Sequence, residues 1–153
     1  MNKQNNPPRS QHGRDDRGGG PSRSFAGAID VTFFENKAEN RINPTLLDRD
    51  AEAQADALHR SINSAQIRRF FGEIKNIYLR LEQKKEWTQL EPLFRMVKSK
   101  ALYALGTSRI PREFCSFLTE NIDKVKDEQD FRAFVLYFEA VLGFAYGKGL
   151  VRK

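Results

Sequence analysis

Cysteine is nearly absent from this 153-residue chain: Cys115 stands alone, inside an apolar stretch. No disulfide framework can form within one chain, which suits a reducing cytoplasm. A single cysteine in such a place reads as a small core residue rather than a nucleophile. Histidine is almost as scarce, with only His12 and His59, and no Cys/His cluster has metal-ligand spacing. No apolar run approaches the roughly 18–20 residues that span a bilayer. The N-terminus lacks the apolar h-region of a secretory signal. Phosphate loops of the P-loop or dinucleotide type are missing too, because the run Gly18–Gly20 is not set between a strand and a helix. The acidic pairs Asp15–Asp16 and Asp48–Asp50 lack supporting ligands, and a Ser or Cys nucleophile would find only His59 as a base in the foldable region. These gaps argue against an enzyme, a metal site or a cofactor, and they make a cytoplasmic location without membrane partners the expectation.

What is present is charge of one sign in one place. The net charge is +6, which by itself says little about partners. Its distribution says more. Residues 1–24 carry +3, residues 25–59 carry −4, residues 60–112 carry +8 and residues 113–153 carry −1. A basic middle block between acidic or neutral flanks is the electrostatic footprint expected of a polyanion-binding surface. The plainer alternative is a solvated helical face.

The first 24 residues hold no aliphatic or aromatic side chain after Met1. Such a segment cannot offset its ordering entropy by burial, so a disordered tail is predicted. Residues 25–44 carry the apolar patch Ile29, Val31, Phe33 and Phe34 and end at Pro44. They read either as a short helix or as an arm docked on the domain that follows, residues 45–150. There, five helical patterns succeed one another with few strand signals and many Phe residues, predicting an all-α, compact five-helix bundle with a bulky aromatic core. The first helix is expected over residues 45–61, capped by Thr45 with Asp48 as capping-box partner. The second runs from Asn63 to about Lys85, with Ile67, Phe70, Phe71, Ile74, Ile77, Tyr78 and Leu81 on one face of a 100° wheel. The third begins at Thr88, with Glu91 closing a capping box, or at Pro92, and ends on Gly106 as C-cap. The fourth starts near Pro111 and buries Phe114, Phe117, Leu118 and Val125. The fifth starts near Asp127, buries Phe131, Phe134, Val135, Phe138, Val141, Leu142 and Ala145, and ends at Gly147 and Gly149.

The same wheels distribute the basic residues. On the second helix Arg68 and Lys75 line one flank of the apolar face, whereas Arg69 and Arg80 lie on the opposite side. On the third, Arg95, Lys98 and Leu102 share a flank. Lys98 sits at the margin of the apolar face, either snorkelling or holding its amine toward a phosphate. Lys100 falls on the other margin, where it would serve a second surface. Gln66 either completes a cap with Asn63 or offers a free amide. Tyr103 lies outside the inner arc, placed to stack on a base or to pack on a partner. Arg109 follows Gly106, where it meets a ligand or only the last helical carbonyls.

Four segments, in order, resemble the small helical subunit of the type III-A CRISPR effector, the Csm complex. They are Leu47–Leu58, LDRDAEAQADAL; Ser64–Phe71, SAQIRRFF; Val97–Arg109, VKSKALYALGTSR; and Phe131–Tyr146, FRAFVLYFEAVLGFAY. Ser99 stands where that family often has Pro, which should leave the third helix straighter, and Arg69 replaces its usual Lys. The resemblance implies a non-catalytic subunit. Copies would line the inner filament beside the backbone subunits and help hold the guide RNA–target RNA duplex through backbone contacts, in antiviral defence. It assigns RNA contacts to Arg68, Arg69, Lys98, Lys100 and Arg109, with Lys98 and Arg68 favoured, and places Gln66, Ile67 and Tyr103 in support of the fold. Lys75, Arg95 and Tyr103 are further candidates for RNA or interface contact. The competing expectation is a helical adaptor whose basic face meets an acidic protein surface.

Overall fold

The computed structural model describes residues 27–58 and 62–153. The tail expected over residues 1–24 and the candidate base His59 lie outside them. The elements are β1 (Phe34–Asn36), β2 (Arg41–Ile42), a 3-10 turn (Pro44–Leu47), then α1 (Arg49–Ala57), α2 (Ser64–Glu82), α3 (Trp87–Gly106), α4 (Arg112–Lys124) and α5 (Glu128–Gly147). The all-α bundle of five helices is therefore present, with one addition: β1 and β2 form a small antiparallel hairpin in which Phe34 faces Ile42.

The helices pack where their apolar stripes demand. The α1 stripe, Ala51, Ala55 and Leu58, lies on α5, while α3 packs on α4 and α2 bridges α3 and α5. Six Phe rings, at positions 94, 114, 117, 131, 134 and 138, are fully buried. They meet largely edge to face or tilted, as in Phe94–Phe131 at 4.9 Å and 68° and Phe117–Phe138 at 5.1 Å and 68°. This arrangement suits the ring quadrupoles. Cys115 is buried, and burial pushes its thiol pKa up, away from nucleophilic use.

Several helix boundaries differ from expectation. Thr45 does not cap the first helix. Asn43 caps the 3-10 turn instead, accepting from the Thr45 N–H at 3.2 Å. Pro44 holds the first position of that turn, where its missing donor costs nothing, and α1 begins only at Arg49. The third helix starts at Trp87, ahead of Thr88 and Pro92, and Glu86 makes no side-chain cap. Pro92 sits within the helix on an exposed position, so the Thr88 carbonyl it leaves without an amide partner can be served by water. Gly106 is the last helical residue rather than the cap. The left-handed residue is Ser108, φ +56°; its N–H donates to the Leu105 carbonyl and the Arg109 N–H to the Ala104 carbonyl at 2.8 Å. That pair of bonds is a Schellman closure. The same closure ends α2 at Lys84 and α5 at Gly149.

Residues 27–33 lead into the hairpin as an extended arm docked on the bundle. Gln54, fully buried on α1, grips the arm at two points: its Oε1 accepts from the Ile29 N–H at 2.8 Å and its Nε2 donates to the Gly27 carbonyl. Gly27 has φ +143° and lies so close to the Glu113 backbone that a Cβ would stand 2.4 Å from its Cα. Only glycine fits there. Lys124 holds Asp30 and the Val31 carbonyl, and Lys37 bridges Asp127 and Asp130. At the other end of the chain, Ser64 N–H donates to the Arg152 carbonyl at 2.7 Å, tying the C-terminus to the start of α2.

Candidate nucleic-acid interface

The rotation of α2 about its axis is fixed at both ends. Asn63 caps it, accepting from the Gln66 N–H at 2.9 Å, and Ile67, Phe70, Ile74, Ile77 and Leu81 are buried. With that face locked, residues 66, 69, 73, 76 and 80 must project on the flank toward α3, because three- and four-residue steps share a helix face. Residues 68 and 75 must project on the flank toward α5. The buried residues Leu90, Phe94, Val97, Ala101 and Ala104 lock α3 in the same way. Met96, Lys100 and Tyr103 then face α2, whereas Arg95 and Lys98 face α4.

The two facing flanks enclose a cleft of about 420 Å³, with Phe70 and Ala104 among its lining residues and Gln66, Arg69, Glu73, Lys100, Tyr103 and Arg109 around them. Arg109 reaches it because the Schellman turn at Ser108 folds the chain back after α3. The groove continues past Glu73 and Lys100 into a second hollow of about 270 Å³ that includes Arg80, Leu93 and Met96. Four of the eight residues nominated from sequence thus converge: Arg69, Lys100, Arg109 and Tyr103.

The other four stand elsewhere, each engaged within the chain. Lys98 Nζ donates to both carboxylate oxygens of Asp123 on α4, at 2.7 and 2.8 Å. Arg95 donates to the Ile122 and Val125 carbonyls and pairs with Glu91, so it closes the end of α4. Arg68 lies over the Tyr146 ring, 5.6 Å from its centroid, and Lys75 pairs with Glu139 and covers Tyr78. Exposed pairs of this kind are worth only about 0–1 kcal/mol, so a phosphate could compete for Lys98 or Lys75. Within the cleft, Lys100 pairs with Glu73. Among the described residues, no acidic group holds Arg69 or Arg109. The two nominated cations with no partner among the described residues, Arg69 and Arg109, therefore both line the cleft, where with Lys100 they outnumber the lone Glu73.

The three residues expected to support the fold differ in their placement. Ile67 is fully buried as expected, but Tyr103 is 66% exposed and the Gln66 side chain faces the cleft. Tyr103 follows the helix period outward, because Ala101 and Ala104 already take the inner positions. Among the described residues there is no group of three His, Cys, Asp or Glu side chains able to hold a metal ion, and no helix is long and apolar enough to cross a membrane.

The order of these elements, from β2 through α5, coincides with a family model. The Csm2 Type III-A model matches residues 41–149. The chain belongs to the Csm2 Type III-A family. It is accordingly a small subunit of the type III-A CRISPR Csm complex, and other Csm subunits are its partners. Comparison with curated proteins and with solved structures gave no match. The Csm2 match takes in both walls of the cleft and Arg109, whereas the arm at residues 27–40 lies outside it.

Proposed function

We propose that this Csm2-family subunit, without catalysis of its own, holds the guide RNA–target RNA duplex by its phosphates along the α2–α3 groove and bridges neighbouring subunits. Arg69 and Arg109 make the principal contacts, Lys100 joins them by exchanging Glu73 for a phosphate, and Arg68 and Lys98 contribute from the flanking faces. The observation that carries this reading is the convergence of unpartnered cations on one cleft in a chain whose other nominated cations are engaged internally. In an RNA-guided complex base pairing supplies the sequence, so the protein needs only backbone and shape contacts. Binding is then indifferent to RNA sequence and steeply weakened by salt.

The test is to assemble the Csm complex with the double variant Arg69→Ala/Arg109→Ala and measure both subunit composition and retained target RNA. Intact composition with reduced RNA retention supports the reading. A second reading has the groove receive an acidic protein surface; the cluster Asp48, Asp50, Glu52 and Asp56 in and beside α1, of which Lys148 engages only Glu52 and Asp56, is the kind of surface it would fit. Under that reading the double variant drops out of the complex, while RNA retained by the remaining subunits is unchanged.

A further inference from the structure

The α2–α3 cleft has a feature that phosphate binding does not require. Tyr103 is 66% exposed, the most open of the large hydrophobic side chains among the described residues. Among the described residues, neither another ring, a cation nor a hydrogen bond engages its side chain. The remaining tyrosines are all used within the chain. Tyr78 lies under Lys75 and Arg132, Tyr137 is buried beside Phe117, and Tyr146 lies under Arg68 with its hydroxyl 2.8 Å from Ser64 Oγ. Tyr103 thus presents its ring to solvent at a concave site.

Its surroundings suit a nucleobase. The Gln66 backbone N–H is satisfied by Asn63, which leaves the side-chain amide, with no partner among the described residues, facing the same cleft. An amide donates and accepts, as the edge of any base does. Phe70 and Ala104 give the cleft an apolar surface, and its volume of about 420 Å³ falls in the range of about 300–1,000 Å³ typical of small-ligand clefts. Phosphates of a paired helix need cations on an open face; they have no use for an aromatic ring beside an apolar hollow. Unpaired bases do, since recognition of single-stranded RNA rests on stacking against aromatic rings and hydrogen bonding to base edges.

We propose that this cleft receives one unpaired RNA base, stacked on Tyr103 with its edge toward Gln66 and its neighbouring phosphates on Arg69 and Arg109. The proposal rests on the RNA reading above and narrows it to a local feature of the RNA. Any base has a π face, so the site discriminates unpaired from paired nucleotides rather than one base from another.

The experiment uses the full-length chain and two RNA duplexes of equal length. One carries a single bulged 2-aminopurine nucleotide; in the other the same nucleotide is paired. Stacking on an aromatic ring changes affinity by about 5- to 150-fold per base. The wild-type chain is expected to bind the bulged duplex at least about 5-fold more tightly and to quench its fluorescence. Tyr103→Ala should abolish both effects and leave affinity for the paired duplex unchanged, whereas Tyr103→Trp should keep them. Equal wild-type affinity for the two duplexes, or a preference that survives in Tyr103→Ala, overturns this inference and leaves the phosphate reading standing. If the wild-type chain binds neither RNA, both readings fall.

Discussion

Removing the arginines of the cleft one at a time should change how RNA binding responds to salt, and the structure sets the size of the change. Each duplex phosphate neutralised by a protein cation contributes about 0.9 to the slope of log affinity against log salt. Between about 50 and 200 mM salt, a fourfold range, one contact accounts for about 3.5-fold in affinity. Arg69 and Arg109 have no acidic partner among the described residues to return to, so each should contribute in full. Arg69→Ala or Arg109→Ala should then flatten the slope by about 0.9, and the double variant by about 1.8, a difference of about 12-fold over that salt range. Lys98 provides the contrast. Its amine already meets both oxygens of Asp123 and faces α4, so a phosphate must displace that carboxylate and Lys98→Ala should flatten the slope by less than Arg69→Ala does. Fluorescence anisotropy of a labelled duplex, titrated at several salt concentrations, measures each slope directly. A Lys98→Ala slope that falls as far as that of Arg69→Ala, or a double variant with an unchanged slope, would refute the division into engaged and available cations.

Other expectations concern the scaffold. Ser108→Gly removes the cost of a non-glycine residue in the left-handed region, about 1–2 kcal/mol, against a loss of about 0.5–1 kcal/mol from the freer unfolded chain. It should stabilise the protein by about 0.5–1 kcal/mol, raising Tm by a few degrees in calorimetry, with RNA affinity unchanged. Gln54→Ala strands the Ile29 N–H and the Gly27 carbonyl, groups that cost about 1–3 kcal/mol each if they stay buried; denaturant titration should show a loss of about 2 kcal/mol or more, and an unchanged midpoint would mean that Gln54 does not hold the arm. Acid should loosen the same arm. The hydrogen bond from Lys124, with its charge, holds the Asp30 carboxyl below the usual carboxylate range. For Asp127, burial acts to raise the pKa, but the hydrogen bonds from Lys37 and the Asp130 N–H outweigh it and bring it down. Both groups are more acidic folded than unfolded, so their contribution is present above about pH 4 and is lost as pH falls through the folded values. NMR shifts of the arm amides should therefore move below about pH 4 before those of the α2 interior do.

Much of the bundle was legible because its helices bury continuous stripes. The α2 and α5 wheels predicted the inner faces, and Ile67, Phe70, Ile74, Phe131, Phe134 and Phe138 are buried accordingly. Boundaries were less legible where local chemistry had equal alternatives. Asn43 outcompeted Thr45 as a cap because Pro44 already fits the turn between them, and Ser108 took the left-handed position that Gly106 suggested. The short hairpin gave no periodic signal, and the burial of Gln54 and Asp130 depends on partners distant in sequence, the arm backbone at residues 27 and 29 for one and Lys37 for the other. The site was half legible for a related reason. A wheel assigns Arg69 to one flank of α2 and Lys100 to one flank of α3, but only packing decides which flanks face one another. Nor could a sequence pattern reveal that Lys98 meets Asp123 or that Arg95 closes the end of α4. Tyr103 was open to two readings, and its exposure separates it from the core.

The most direct test of the central claim is photo-cross-linking of 4-thiouridine-containing target RNA within the assembled Csm complex, followed by mass spectrometry of this subunit's peptides. Adducts are expected on the two walls of the α2–α3 cleft, on peptides spanning residues 66–73 and 99–109, with Tyr103 the leading site. Adducts confined to the α4 side around Lys98 and Lys126, or to the acidic face of α1, would contradict it.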